Sequence, residues 1–506
     1  MAIIMPCRTV EQAFILLKRR KCQMLNDRYD VLIIGAGVTG CAIARELSHT
    51  GLKVALAEAC EDVAMGASRA NSAIVHAGYD CVPGTLMARL NVRGNEMFDD
   101  MCEKLNVPLL RVGSFVIAFG EEDERELNNL MERGRANGVP GLEIITGERA
   151  RELEPALSGE VTAALWAPTA GITCPYELTI ALSENARANG VDILLRKRAV
   201  AIEEGDAFTV TFEDGSAVRV GYIVNAAGVY ADEVARLIGD DSFAITPRKG
   251  EYMLLDKQAL CVGTVIFQTP SKLGKGVLVS PTVDGNIFAG PTAKDNCAKN
   301  DTQTTPEGMA ELKRLSLRSV PSLGLRQVIT SFAGVRAQPS TGDFIIRPSE
   351  RNARFIHAAG ICSPGLSSAP AIAEYVRALL GEAGADVTER PDAVYVREHK
   401  KPFRLMDAEE RAAAYAENPL YGRIICRCET VTEAEIVDAI HRGATTVDGV
   451  KRRTRAGMGR CQGGFCSPRV MEILSRELNV PMESLTKFGG GSYMVAGKLG
   501  EVGCDE

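Results

Sequence analysis

The first strong pattern along the chain is an unbroken apolar run, Val31-Leu32-Ile33-Ile34, entered from Asp30. Consecutive apolar positions fit a strand covered on both faces, as in a parallel sheet. Gly35-Ala36-Gly37-Val38-Thr39-Gly40 follows, and Cys41 to Thr50 then reads as a helix closed by Gly51. Val54-Ala55-Leu56-Ala57 is a second strand ending in Glu58. Together these pieces predict a βαβ unit. Further on, runs such as Gly113–Phe119 and Glu251–Leu255 are bounded by turn residues and predict an antiparallel arrangement. Residues 121–138 and 305–320 space their apolar positions as amphipathic helices do. Residues 386–420 have weak periodicity and several charges, the mark of a linker. Residues 421–485 form a unit with its own cysteines, and 486–506, with Gly489-Gly490-Gly491, read as a flexible tail. Residues 1–28 fit poorly with the βαβ pattern that begins beside them. They are either a leader ahead of a natural start at Met24 or an N-terminal helix.

Composition narrows the class. A chain of 506 residues is long enough for roughly three domains of about 150 residues each. Its 46% hydrophobic and 24% charged residues are those of a globular protein and exclude disorder or a small disulfide scaffold. A net charge of −7 argues against nucleic-acid binding by the chain as a whole. No apolar run reaches the ~18 residues of a membrane span, and the short run Phe14–Leu17 has its basic cluster, Lys18–Lys21, behind it and only Arg8 ahead, so no secretory signal is expected. The chain is expected in the cytoplasm, where the 15 cysteines are reduced and most are small core residues.

The GxGxxG loop follows a buried strand and opens a helix, and Glu58 stands about 20 residues on, as a dinucleotide fingerprint requires. Gly35 makes the tight turn, Gly37 lets backbone N–H groups reach a pyrophosphate, and Gly40 lets helix and strand pack closely. The helix N-terminus at Val38 and Thr39 adds partial positive charge, and Glu58 accepts from a ribose. Three later segments favour FAD over NAD. They are Gly66–Gly78 with Ser68, Asn71, Ser72 and His76; the strand and small-residue turn Tyr222–Gly228, with Ala227 and Gly228; and Phe355–Pro370. The last runs from a strand through a glycine-rich turn holding Gly360, Gly365, Leu366 and Ser367 to a helix from about Ala369, whose N-terminus would stabilise negative charge on a reduced flavin ring.

Near the C-terminus, Cys426-Arg427-Cys428 is a C-x-C pair and Cys461–Cys466 a C-x4-C pair, separated by a long gap. Four converging thiolates suit zinc or an iron–sulfur cluster. The C-x-C spacing is unusual for structural zinc and resembles the ferredoxin-like domain of bacterioferritin-associated ferredoxin, which binds a 2Fe–2S cluster. The neighbouring run Lys451–Arg455 is basic. It lacks the stacking aromatics of a nucleic-acid patch and reads as a face near an anionic cluster, a docking surface for a partner, or a solvated charged face.

With the fingerprint, Val75-His76-Ala77-Gly78-Tyr79, Phe332-Ala333-Gly334-Val335-Arg336 and these cysteines, the chain resembles the FAD-dependent amino-acid oxidase superfamily. It looks closest to glycerol-3-phosphate dehydrogenases of the anaerobic, iron–sulfur type, with L-2-hydroxyglutarate dehydrogenases as near neighbours. The resemblance implies an α/β protein: a glutathione-reductase-like FAD domain interleaved with a mixed-sheet substrate domain, then a small α-rich iron–sulfur domain. The FAD-binding parts would be about 29–100, 145–235 and 328–385, and the substrate parts about 101–144 and 236–327. The linker would span 386–420 and the cluster domain 421–485.

The resemblance further implies FAD held also by Val200, a 2Fe–2S cluster on Cys426, Cys428, Cys461 and Cys466, and a phosphorylated or carboxylated alcohol as substrate. His76 would take the hydroxyl proton, the alternative being a histidine bonded to flavin or backbone. Arg336 would face substrate or flavin, the alternative being a buried ion pair. Arg248, Lys249, Tyr252 and Lys275 are weaker candidates, and His357, His49, His399 and His441 read as structural or exposed. Electrons would leave through the cluster to redox partner subunits, either a second flavoprotein or an iron–sulfur subunit, and any membrane attachment would be peripheral and through them. The competing readings are a 2-hydroxyacid or amino-acid dehydrogenase on the same scaffold, and a non-catalytic electron-transfer or iron-handling module, which would not need the flavin fold.

Overall fold

The computed structural model describes residues 28–259, 261–270 and 276–497. Met24 and Lys275 lie outside these, as does the end of the tail. In the first sheet, Asp192–Leu195, Val54–Glu58, Arg28–Ile34 and Ala217–Asn225 lie side by side in parallel. Along one edge, the first half of Ala217–Asn225 carries the antiparallel strand Phe208–Phe212, and its second half the parallel strand Phe355–Ala359. Ala199–Glu203 beside Phe208–Phe212 and Ile345–Pro348 beside Phe355–Ala359 bring the sheet to eight strands. Val31 and Ile33 enter a core shared with the helices Val38–Ser48, Leu86–Leu105, Pro175–Ala188 and Gly365–Glu382. Leu32 and Ile34 enter a second core, closed by the aromatic strand Phe208–Phe212 and by Val234. Both faces are therefore dry, which is why the first strand reads as an unbroken apolar run.

The second sheet has nine strands and is antiparallel except where Ser114–Ala118 runs parallel to Val265–Gln268. Its longest ladder joins Ile245–Leu255 to Val328–Pro339. That places 328–339 in this sheet, although the sequence reading assigned 328–385 to the FAD-binding parts. Glu143–Thr146 and Ala163–Ala167 belong here as well, although 145–235 was assigned to those parts. Strand pairing over such sequence distances leaves no local signal. The two amphipathic helices appear as Glu121–Ala136 and Pro306–Ser319, the latter capped by the Thr305 side chain.

Residues 424–485 build a hairpin, Ile424–Cys426 with Val431–Thr432, and three helices, Glu433–His441, Val447–Thr454 and Ser467–Leu478, around a separate apolar core. Thr432 and Glu435 form a reciprocal capping box at the first helix. The 386–420 segment is docked: Arg397 is buried and paired with Glu184 at 2.6 Å, and Ala408–Glu417 is a capped helix. The glycines of the tail serve a turn closed by a Thr486–Tyr493 bridge. Among the described residues no helix is long and apolar enough to cross a membrane.

Candidate active site and cysteine centre

An open cleft of about 1550 Å³ runs from the carboxyl ends of the parallel strands to the second sheet. Gly35, Gly37, Val38, Thr39 and Glu58 line one end. Gly35 takes φ +107°, and a Cβ there would lie 2.4 Å from the Ala226 carbonyl oxygen. The Val38 N–H, at the first turn of its helix, donates to Ser68 Oγ at 2.8 Å. Glu58 is held by the backbone N–H groups of Ala36 and Cys60, both at 2.9 Å. Ser68, Asn71, Ser72, Ala227, Gly228, Gly365 and Leu366 also line the cleft. An extended dinucleotide fits this wall: small residues allow close approach, and two helix N-termini, at Val38 and Gly365, open onto it.

Four expected cofactor contacts do not reach the cleft. Gly40 lies behind the loop, where a Cβ would lie 1.9 Å from the Gly35 carbonyl oxygen, so its service is packing. Gly360 backs onto Pro339. Val200 is 45% exposed and Ala199 lines the cleft instead, because an irregularity between Ala199 and Ala201 shifts the edge-strand register. Ser367 is fully buried, and its hydroxyl accepts the His76 backbone N–H at 2.7 Å.

His76 lines the cleft from the end of the strand Ile74–Val75. Asn95 Nδ2 donates to its carbonyl at 2.9 Å, its Nε2 lies 3.4 Å from Ser363 Oγ, and its ring sits 5.7 Å from Phe267. Across the cleft, Arg336 and Arg248 are cross-strand neighbours. Arg248 is neutralised by Asp295, with Nη2 to Oδ2 at 2.7 Å. Arg336 donates from Nη2 to the Thr292 carbonyl at 3.0 Å, and its buried Nε has no hydrogen-bond partner among the described residues. Tyr252 is buried, stacks on Phe332 at 4.8 Å and shares a 3.1 Å hydrogen bond with Ser72. Burial raises its pKa, opposed by Arg336. Lys249 faces away from the cleft, on Asp301 at 2.8 Å, because strand neighbours alternate sides. His357 is buried against Asp240 at 3.0 Å, in the core as expected.

The four thiols of the C-terminal unit form two pairs. Cys428 and Cys461 lie 3.8 Å apart at the surface. Cys426 and Cys466 are buried in hydrogen-bond contact. The Cys466 thiol and the backbone N–H groups of Gly457, Glu429 and Cys428 hold the Cys426 pKa below the usual thiol value. Backbone N–H groups of Phe465 and Gly463 likewise lower Cys461. Among the described residues no three ligating side chains converge as around a single ion. Two thiol pairs with backbone donors aimed at sulfur suit two irons better than one zinc.

Residues 30–379 match the family described as FAD dependent oxidoreductase. The chain belongs to this family. Residues 424–476 match the BFD-like [2Fe-2S] binding domain. The oxidoreductase therefore carries FAD and a 2Fe–2S cluster. It is 49% identical to a glycerol 3-phosphate dehydrogenase of Caloramator mitchellensis over 93% of this chain and 98% of that protein. The solved, FAD-bound L-alpha-glycerophosphate oxidase of Mycoplasma pneumoniae is 33% identical, with a TM-score of 0.71 over 74% of this chain and 99% of its own. A mitochondrial L-2-hydroxyglutarate dehydrogenase of Nematostella vectensis is 30% identical over 53% of this chain and 63% of its own length.

The basic run of the oxidoreductase, expected near an anionic cluster, at a partner or in solvent, is instead engaged by acidic residues of the same chain. Arg452 and Arg453 bind Asp62, while Arg455 binds Asp284 and Glu429. Thr292, Asp295 and Ser363 were missed by sequence reasoning. Ser363 lay in a segment already singled out, whereas nothing near Thr292 or Asp295 in the chain announces a site.

Proposed function

We propose that the oxidoreductase oxidises sn-glycerol 3-phosphate to dihydroxyacetone phosphate and sends the electrons through its cluster to a partner protein. The observation that carries the substrate reading is Arg336. Its guanidinium lines the cleft with a buried, unpaired Nε and no carboxylate partner among the described residues, whereas that of its cross-strand neighbour Arg248 is already neutralised. A guanidinium with unused donors matches a phosphate dianion. His76, fixed by Ser367 and Asn95, is the base for the hydroxyl proton. When bound, the flavin accepts a hydride from the carbinol carbon and the cluster takes electrons one at a time. Tyr252 and Phe267 exclude water from the reacting carbon. The extensive likeness to glycerol 3-phosphate dehydrogenase, against partial coverage of the hydroxyglutarate enzyme, favours the same substrate.

The partner reading is supported by the outer edge of the cluster site. Cys428 is exposed, and Phe465, between Cys461 and Cys466, is 88% exposed. An apolar knob beside a ligand suits a one-electron acceptor protein, a flavoprotein or iron–sulfur protein, through which any membrane attachment would occur. Anaerobic titration tests the substrate reading: glycerol 3-phosphate bleaches the flavin band and 2-hydroxyglutarate does not. The reverse result transfers the assignment to the 2-hydroxyacid.

A further inference from the structure

We infer that electrons pass from the flavin cleft to the cluster through the segment Thr173–Tyr176 and across the contact between Tyr176 and Met458. This rests on the reading that the cluster takes the electrons of the flavin, and it adds the route. The strand Gly171–Thr173 lies beside Ile74–Val75, and the Thr173 N–H donates to the Ala73 carbonyl at 3.0 Å. Ala73, Ile74 and His76 line the cleft, so one strand separates it from Thr173. Cys174 is buried next, and Pro175 opens a helix that packs against Ala67–Arg69 on one side and Val447–Thr454 of the cluster domain on the other.

On the first turn of that helix, the Tyr176 hydroxyl meets Met458 Sδ at 3.3 Å. Met458 sits between Gly457, whose N–H supports Cys426, and Gly459, where a Cβ would lie 2.3 Å from Cys428 Cβ. The Met458 carbonyl accepts from Gln462, inside the Cys461–Cys466 loop, at 3.0 Å. One side chain therefore touches the flavin domain while its backbone adjoins the loops that carry all four thiols. Burial keeps the Tyr176 phenol protonated, and neither Tyr176 nor Met458 changes oxidation state. They supply packed atoms where a gap would weaken electronic coupling. The contact is held in register by Arg453 on Asp62, by Lys257 on Glu429 at 3.2 Å and by Arg460 on Asp256 at 3.0 Å.

Each alcohol oxidised leaves two electrons on the flavin and releases the hydroxyl proton. Two successive single-electron transfers across the contact, with release to solvent of the proton that arrived in the hydride, would return the flavin to its oxidised form. The acceptor protein takes the first electron from the cluster before the second crosses.

The test is rapid mixing of the holoenzyme with glycerol 3-phosphate without oxygen, following flavin bleaching optically and the reduced cluster by freeze-quench electron paramagnetic resonance. Met458→Leu and Tyr176→Leu, each with full flavin and iron content, are expected to bleach at the wild-type rate and to reduce the cluster severalfold more slowly. Wild-type cluster reduction in both overturns the route. Slowing in Tyr176→Leu alone overturns the Met458 contact. If glycerol 3-phosphate leaves the flavin oxidised, the substrate reading fails, and the same comparison after photoreduction of the flavin still decides the route.

Discussion

Replacing Asp62 by alanine strips the anchor from the basic run. Asp62 accepts Arg453 Nη1 at 2.6 Å, Arg453 Nη2 at 2.8 Å and Arg452 Nη2 at 3.1 Å. All three side chains are nearly inaccessible. Burial alone would raise the Asp62 pKa, yet the two guanidinium groups hold it below the usual carboxylate range. Removing one partner of a buried pair costs about 3–5 kcal/mol because the remaining charges stay desolvated and uncompensated. Here two cations are stranded on the cluster domain. At about 1.4 kcal/mol per tenfold, the docked population falls by roughly two to three and a half orders of magnitude relative to the undocked one. Hydrogen exchange reads this directly: amides of Val447–Thr454 and the docked 386–420 segment exchange faster, while those of the strand Arg28–Ile34 do not. Asp62→Asn, which keeps volume and two hydrogen-bonding atoms, is expected to fall between. Replacing Asp62 by Leu with Arg452 and Arg453 by Met recovers most of the loss, since no charge is then stranded. Exchange in Asp62→Ala indistinguishable from wild type would refute the claim that these ions fix the domain.

His76→Gln keeps both cofactors but slows flavin reduction by about 10²–10⁴, the usual worth of a positioned base; wild-type reduction in this variant removes the assignment. Arg336→Lys keeps the charge and loses the planar donor fork, so KM for glycerol 3-phosphate rises about tenfold or more, as loss of hydrogen bonds to a charged group of about 1.5–3 kcal/mol implies; an unchanged KM contradicts phosphate binding there. Burial pushes both His49 and His399 down to about 4. The unfolded chain protonates them near 6.5 and the native fold does not. Their contribution is therefore complete above neutral pH and is lost as pH falls from about 6.5 toward 4. Thermal unfolding between pH 8 and 5 is expected to show that slope and His49→Gln with His399→Gln to flatten it; an identical slope in the double variant places the titration elsewhere.

The nucleotide end of the cleft was legible because its geometry is local. A buried strand, a glycine loop and a helix start are contiguous in the chain, and Gly35, Gly37 and Glu58 meet within one βαβ unit. The substrate end was legible only in part. Arg336 came from a motif, but the distinction between Arg336 and Arg248 depends on Asp295, which arrives from another strand of the second sheet. Likewise, Val200 came with the resemblance, and the irregularity at Ala199–Ala201 that turns it outward has no signal in the chain. Ser367 is a different kind of miss. It lies in the expected turn, yet it is turned inward to hold the His76 backbone and does not face the cleft. The charges of 386–420 read as those of a linker and the run 451–455 left three readings open, because their partners Glu184, Asp62 and Asp284 are distant in sequence.

Those distant partners explain why the interface between the two redox units is ionic. Apolar contact alone tolerates sliding, because one methyl group replaces another at little loss. A buried carboxylate does not tolerate it, since any other register leaves charges unpaired in a low-dielectric seam. The anchors lie on separate elements: Asp62 beyond the second strand, Glu184 on the helix that carries Tyr176, and Asp284 in a turn of the second sheet. Three points fix rotation as well as position. Arg442 on Glu184 and Arg455 on Asp284 bracket that helix, so the ions that orient the cluster domain also bring Met458 onto Tyr176. The basic run and the cysteine pairs, separate motifs in the chain, are thus one device, in which the run sets the place of the cluster and the cysteines hold it there.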